Sequence, residues 1–125
     1  VSIICTGTMV ERSLRAADAL SLQGIEAAVI NMPCIKPIDE GLILEAAAKT
    51  GAMVTAEEHS ILGGLGGAVS EVLGSHRATP LERVGIQDAF ARTGPDPQPL
   101  MDACGLSVSD IQQACQRAAA RKTGV

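Results

Sequence analysis

The chain has 125 residues, 46% hydrophobic and 19% charged, with a formal net charge of −4 and a single aromatic residue, Phe90. That length and balance describe one folded domain, residues 1–125, with its own core rather than a disordered chain. An acidic chain with one aromatic ring offers neither the basic stripe nor the stacking platform of nucleic-acid binders, and it has no apolar run of the roughly 18 residues a membrane span needs, so neither nucleic acid nor membrane is expected as a partner.

The opening residues, VSIICTG, lack the basic and long apolar regions of a signal peptide. Beginning without Met and directly in a strand-like run, they read as the start of a domain cut from a longer protein. Residues 2–6 form a short buried strand. Thr8 stands three positions before Glu11, the spacing of a capping box, and opens a helix whose apolar face carries Val10, Leu14, Ala17 and Leu20, with Gly24 as its stop. A second strand covers 25–31. Pro33 and Pro37 bracket an extended loop. Asp39 caps the next helix, with Ile38 and Ile43 placed as a hydrophobic staple and Gly51 ending it near Thr50.

Residues 52–74, AMVTAEEHSILGGLGGAVSEVLG, carry the most information. A β-branched, apolar strand over 52–57 ends in two acids, a His and a Ser. A Gly-Gly-Leu-Gly-Gly loop follows, then a helix over 67–74. Pro80 opens a fourth strand over 83–87. Residues 88–99 read as irregular because Pro95, Pro97 and Pro99 cannot all sit inside regular elements. Ser107 and Asp110 begin a last helix that buries Ile111, Ala114, Cys115 and Ala118 and ends in Arg117, Arg121 and Lys122.

Strands alternate with helices, and the fully apolar strands over 3–5 and 27–30 call for cover on both faces. The expected fold is therefore α/β: a three-layer α/β/α domain with a mostly parallel sheet of four to five strands. Cys5, Cys34, Cys104 and Cys115 form no C-x-x-C pair and read as four reduced core thiols of a cytoplasmic protein.

The placement of ionisable groups at a strand end, before a glycine loop and a helix, is where open α/β sheets put their sites. Specific chemistries fit poorly. A G-x-G-x-x-G fingerprint starting at Gly64 would need Gly where Val69 stands, no Gly-Lys-Ser/Thr follows, and Glu57 and Glu58 would repel an anion. His59 and Ser60 are adjacent rather than convergent, and no G-x-S-x-G elbow is present. Glu57, Glu58 and His59 lack the further ligands a zinc site needs. His59 has two readings, a group bonded to a carboxylate or a neighbouring subunit, and a loop residue satisfied by backbone. Alternation in a strand points Glu57 and Glu58 to opposite sides, so at most one faces the interior.

The segment TAEEHSILGGLGGAVSEVL, the later LERVGIQDAFARTG and the closing G-L-S-x-x-D-I over 105–111 resemble the C-terminal domain of transketolase-type enzymes, above all the C-terminal subunit of two-subunit transketolases. Deoxyxylulose-phosphate synthases and the β-subunits of 2-oxo-acid dehydrogenases share that domain. The resemblance implies a mixed sheet of five strands, with an antiparallel edge strand ahead of residues 1–7. It also implies a parent enzyme that moves two-carbon ketol units between sugar phosphates using thiamine diphosphate and Mg2+. The diphosphate–metal motif G-D-G is absent, so this chain alone is expected to hold no cofactor and to perform no catalysis. Its implied role is to brace the other domains or subunit and to support a homodimer, with Glu58, His59, Ser60, Gly63, Gly64, Gly66 and Gly67 as interface or active-site-rim residues. The alternatives are the same domain of a deoxyxylulose-phosphate synthase or a 2-oxo-acid dehydrogenase β-subunit, a self-associating structural module, or a stand-alone small-ligand-binding module.

Overall fold

A computed structural model describes residues 1–90 and 93–122. The elements are β1 (Ser2–Cys5), α1 (Met9–Ser21), β2 (Ala28–Asn31), α2 (Glu40–Thr50), β3 (Met53–Ser60), α3 (Leu65–His76), β4 (Leu81–Ile86), α4 (Pro97–Ala103) and α5 (Val108–Ala120). The strands form one sheet in the order β2-β1-β3-β4, and each neighbouring pair is parallel. Among the described residues the sheet thus has four strands, at the lower end of the expected count, and no antiparallel member.

Side-chain alternation along the strands divides the core in two. Ile3, Cys5, Val54 and Ala56 face α1 and α5 and pack with Met9, Leu20, Ile111 and Cys115. Ile4 and Met53 face α2 and α3 and pack with Ile43, Leu65 and Val69. This is the expected three-layer arrangement. Among the described residues, no helix is long and apolar enough to cross a membrane.

Several local expectations hold. Asp39 caps α2 by accepting from the Leu42 N–H, and Gly51 ends it at φ 71°. Ser107 and Asp110 form a full capping box at the start of α5. Other expectations are corrected. The Thr8 side chain does not cap α1; its hydroxyl donates to Glu58 instead. The buried face of α1 is rotated from the predicted one: Met9, Arg12, Ser13, Ala16 and Leu20 are buried, whereas Leu14 is 51% exposed. β2 begins three residues later than expected and is only half covered, because it is an edge strand. Pro97 and Pro99 lie in the first turn of α4, where helix N–H groups have no intrahelical partner and a missing donor costs nothing. Of the predicted irregular stretch, Ala91 and Arg92 lie outside the described residues.

The cysteines are all free, with Cys5 and Cys115 buried, Cys104 half-buried and Cys34 exposed. Cys34 is therefore not a core thiol; it sits in the loop after the edge strand β2. Burial pushes the Cys115 thiol up to about 11, and burial likewise raises Cys5. Alkylation of the native protein at pH 8, followed by peptide mass spectrometry, should modify Cys34 first and Cys115 only on unfolding. Equal labelling of all four would contradict this packing.

α5 is tied to the edge strand β4 by charge. Arg117 Nε donates to Glu82 Oε2 at 3.0 Å and Arg121 Nη1 to Glu82 Oε1 at 2.6 Å. Burial opposes ionisation of Glu82, but the two arginines outweigh it and lower its pKa. A carboxyl whose folded pKa is depressed contributes stability above its unfolded pKa and loses it as pH falls through the folded value. The arginines are more than half exposed, so water limits the gain to about 0.5–1 kcal/mol. Glu82→Gln should lower stability by that amount at pH 7, and urea unfolding should show the gap closing below about pH 4.

Candidate functional site

The site is built at the carboxyl end of the sheet, where β1 and β3 are adjacent but their following helices leave on opposite faces. That reversal of strand order opens a cleft between the two loops. A cavity of about 400 Å³ lies there, lined by Thr6, Gly7 and Thr8 after β1, Glu57, Glu58 and His59 of β3, Gly63 and Gly64 of the glycine loop, and Ile35. A larger groove of about 640 Å³ adjoins it between the loop before α2 and the outer side of α3, and includes Ile38, Gly67 and His76.

The end of β3 is irregular. Its register against β4 shifts between Ala56, paired with Val84, and Ser60, paired with Ile86. Four steps on β3 therefore match two on β4, and this bulge delivers three successive side chains to the cleft. Gly85 faces the bulge: a Cβ there would come within 2.7 Å of Ile61 Cγ2 and 3.0 Å of the His59 carbonyl.

Glu57 turns inward and is 1% exposed. Its Oε2 accepts from the Leu65 N–H at 2.7 Å and its Oε1 from the Gly66 N–H at 2.9 Å. These are first-turn donors of α3, which the helix itself cannot satisfy. The protein's own carboxylate thus occupies the position where α/β proteins commonly seat a phosphate. The arrangement dictates the glycines. A Cβ on Gly64 would overlap Glu57 Oε2, and one on Gly66 would lie 2.9 Å from both Thr55 Oγ1 and Arg83 Cδ. Gly67 is different: a Cβ there would meet nothing within 4 Å, so the fold does not require it to be glycine.

Glu58 turns outward, accepts from the Thr8 hydroxyl and lies on the exposed rim. His59 is also exposed; its Nδ1 is 2.7 Å from the Ser60 carbonyl and 3.8 Å from Glu57 Oε2. A carbonyl only accepts, so Nδ1 carries the proton and Nε2 is left toward solvent. Within the chain His59 follows the reading of a loop residue satisfied by backbone, and the Glu57 carboxylate at 3.8 Å is too far for a hydrogen bond. Ser60 Oγ accepts from the Leu62 N–H at 3.2 Å, a local turn contact, and Gly63 holds φ 75° at the start of the loop.

The structure thus brings Glu58, His59, Gly63 and Gly64 to one cavity, with Gly66 beneath it, Gly67 in the adjoining groove and Ser60 to one side. The residue missing from the predicted set is Glu57. Its signal was legible: a carboxylate at a strand end, seven residues before glycines at a helix start.

A family model described as "Transketolase, C-terminal domain" matches residues 1–111. The chain belongs to that family. Among its relatives, a 6-deoxy-6-sulfo-D-fructose transketolase subunit, SqwH, from Clostridium sp. (strain MSTE9) is 44% identical over 98% of this chain and 38% of that protein. A 1-deoxy-D-xylulose-5-phosphate synthase from Geobacter sulfurreducens is 41% identical over 98% of this chain and 19% of that protein. Among solved structures, one described as "Split gene transketolase, inactive beta4 tetramer" matches with a TM-score of 0.92 at 43% identity, covering 98% of this chain and 40% of that one. A transketolase variant from Pichia stipitis, 17% identical with a TM-score of 0.69, shares the fold. This transketolase C-terminal domain therefore spans well under half the length of the proteins it matches, which carry it beside further domains.

Proposed function

We propose that this chain, as a single domain of residues 1–125, is the non-catalytic C-terminal part of a thiamine-diphosphate-dependent transketolase that transfers two-carbon ketol units between sugar phosphates in the cytoplasm. Its work is to brace the neighbouring domains or subunit and to support a homodimer, through a rim of Glu58, His59, Ser60 and the glycine loop. The observation that carries this reading is the Glu57 carboxylate seated on α3. It fills from within the anion site that the fold would otherwise offer to a diphosphate. Among the described residues, no three His, Cys, Asp or Glu side chains converge as metal ligands. The described residues therefore do not fit thiamine diphosphate and its metal ion.

A second reading, the corresponding domain of a deoxyxylulose-phosphate synthase, is favoured by the Geobacter relative at 41% identity. Both readings give the chain the same supporting role, and the wording Glu58-His59-Ser60 favours the transketolase branch.

The test is an assay of this chain alone, and of the chain joined to the rest of its parent enzyme, for ketol transfer with thiamine diphosphate and Mg2+. The chain alone should show no turnover and no micromolar binding of the cofactor by calorimetry, and the joined enzyme should show both. Turnover or tight cofactor binding by the isolated chain would overturn the proposal.

A further inference from the structure

A carboxylate removed from water is costly unless its lone pairs are met. Glu57 is 1% exposed, and the groups around it receive negative charge. The Leu65 N–H reaches Oε2 at 2.7 Å and the Gly66 N–H reaches Oε1 at 2.9 Å, one donor to each oxygen. Both donors belong to the first turn of α3, a helix of 12 residues that presents the positive end of its dipole there. A cationic side chain passes the same turn. A Cβ on Gly66 would lie 2.9 Å from Arg83 Cδ, and Arg83 Nη1 donates to the Ile61 carbonyl at 3.1 Å.

One polar group at this turn is unused. The Thr55 hydroxyl is fully buried and has no hydrogen-bond partner among the described residues. Thr55 stands two positions before Glu57 on β3, so both side chains leave the same face of the sheet. Its Oγ1 points at Gly66, 2.9 Å from where a Cβ would stand. Gly66 therefore meets Glu57 through its N–H and Thr55 across its missing side chain. A buried hydroxyl with no partner carries the full cost of its lost water. Valine has nearly the same shape, so packing alone does not call for a hydroxyl here.

We propose that the first turn of α3 and the Thr55 hydroxyl form a carboxylate receptor, which the chain keeps closed with Glu57 as an intramolecular ligand. The ligand class follows from the occupant: a planar anion that takes one N–H on each oxygen. Glu57 also lines the cavity between the β1 and β3 loops, so shortening its side chain joins the receptor to that cavity and admits a small free carboxylate. In the native chain the tethered group excludes free ones, because its effective concentration is that of an intramolecular partner. This closed site is independent of the bracing role proposed above.

Glu57→Ala removes one methylene and the carboxylate, which are the heavy atoms of acetate. The experiment compares this chain and that variant at pH 7 by thermal unfolding and amide NMR, in sodium acetate and in sodium chloride, each at about 0.5 M. With half-saturation near roughly 50 mM, acetate should raise the melting temperature of Glu57→Ala about 5 °C more than it raises that of the parent. It should move the Leu65 and Gly66 amides of the variant with saturation and leave those of the parent in place. Glu57→Gln keeps the receptor filled and should behave as the parent does. Adding Thr55→Val to Glu57→Ala should weaken acetate binding by roughly three-fold or more. Inorganic phosphate, a tetrahedral ion, should bind Glu57→Ala more weakly than acetate does.

Equal acetate shifts in parent and Glu57→Ala would overturn the receptor, as would phosphate binding the variant more tightly than acetate. Acetate binding unchanged by Thr55→Val would leave only a helix end and would overturn it too. If Glu57→Ala is unfolded in chloride, circular dichroism in acetate decides. Recovered helix upholds the receptor, and a chain unfolded in both salts overturns it.

Discussion

Glu57→Ala is expected to destabilise the domain by about 4 kcal/mol, because it strands two buried first-turn donors of α3, each of which bonds a charged acceptor. For a chain of this length, that loss corresponds to a fall in melting temperature of about 15 °C. Glu57→Gln should cost roughly half as much, since its amide keeps one acceptor and points a donor at the other N–H. Gly64→Ala attacks the same bonds from the other side, because its methyl would displace the carboxylate, and should cost about 3 kcal/mol. The two effects must not add. Once Glu57 is Ala, the methyl at position 64 meets only the exposed His59 ring, at 2.8 Å from Nδ1, which can turn away into solvent, and the double variant should be close to Glu57→Ala alone. Urea unfolding of the four proteins gives the cycle. Additivity within about 0.5 kcal/mol would show that Gly64 is glycine for some other reason.

That network also shows which parts of the molecule were legible in the sequence. The Ser107–Asp110 box was readable because both partners lie within one turn, and spacing alone brings them together. The same spacing at Thr8 and Glu11 misled, because Thr8 finds its partner fifty residues away, in Glu58. A long-range bond won over a local one, and only the fold brings β1 and β3 side by side. Leu14 looked like core because its period matched. However, α1 turns a different stripe inward, toward α5, and that orientation depends on a helix about a hundred residues later. Of the candidate site, the strand end and the glycine loop were visible. The inward role of Glu57 was half visible: alternation allowed at most one inward acid but did not say which. The bulge against β4 was not visible, because it is a property of two strands paired in register.

α4 poses a different energetic question, since one buried side chain holds much of it in place. Arg12 of α1 is 5% exposed. Its Nη1 donates to Asp102 Oδ1 at 2.5 Å and to the Leu106 carbonyl at 2.9 Å, and its Nη2 donates to Gln98 Oε1 at 2.5 Å. All three acceptors lie in α4 or just beyond it. Asp102 is 56% exposed on its side chain, so the ion pair itself is worth little, and Asp102→Asn should cost no more than about 1 kcal/mol. Arg12→Met should cost about 3 kcal/mol, because it leaves the buried Leu106 carbonyl without this donor and releases Gln98 together with Asp102. Hydrogen exchange of the amides in α4 and at Leu106 should quicken by about a hundred-fold and report an opening easier than global unfolding, while amides of β1 and β3 should follow only the fall in global stability. If Asp102→Asn proved as damaging as Arg12→Met, the charge pair would be what holds α4. If the amides of α4 and of the sheet reported the same opening free energy, Arg12 would belong to the common core, and α4 would not be a separately anchored element.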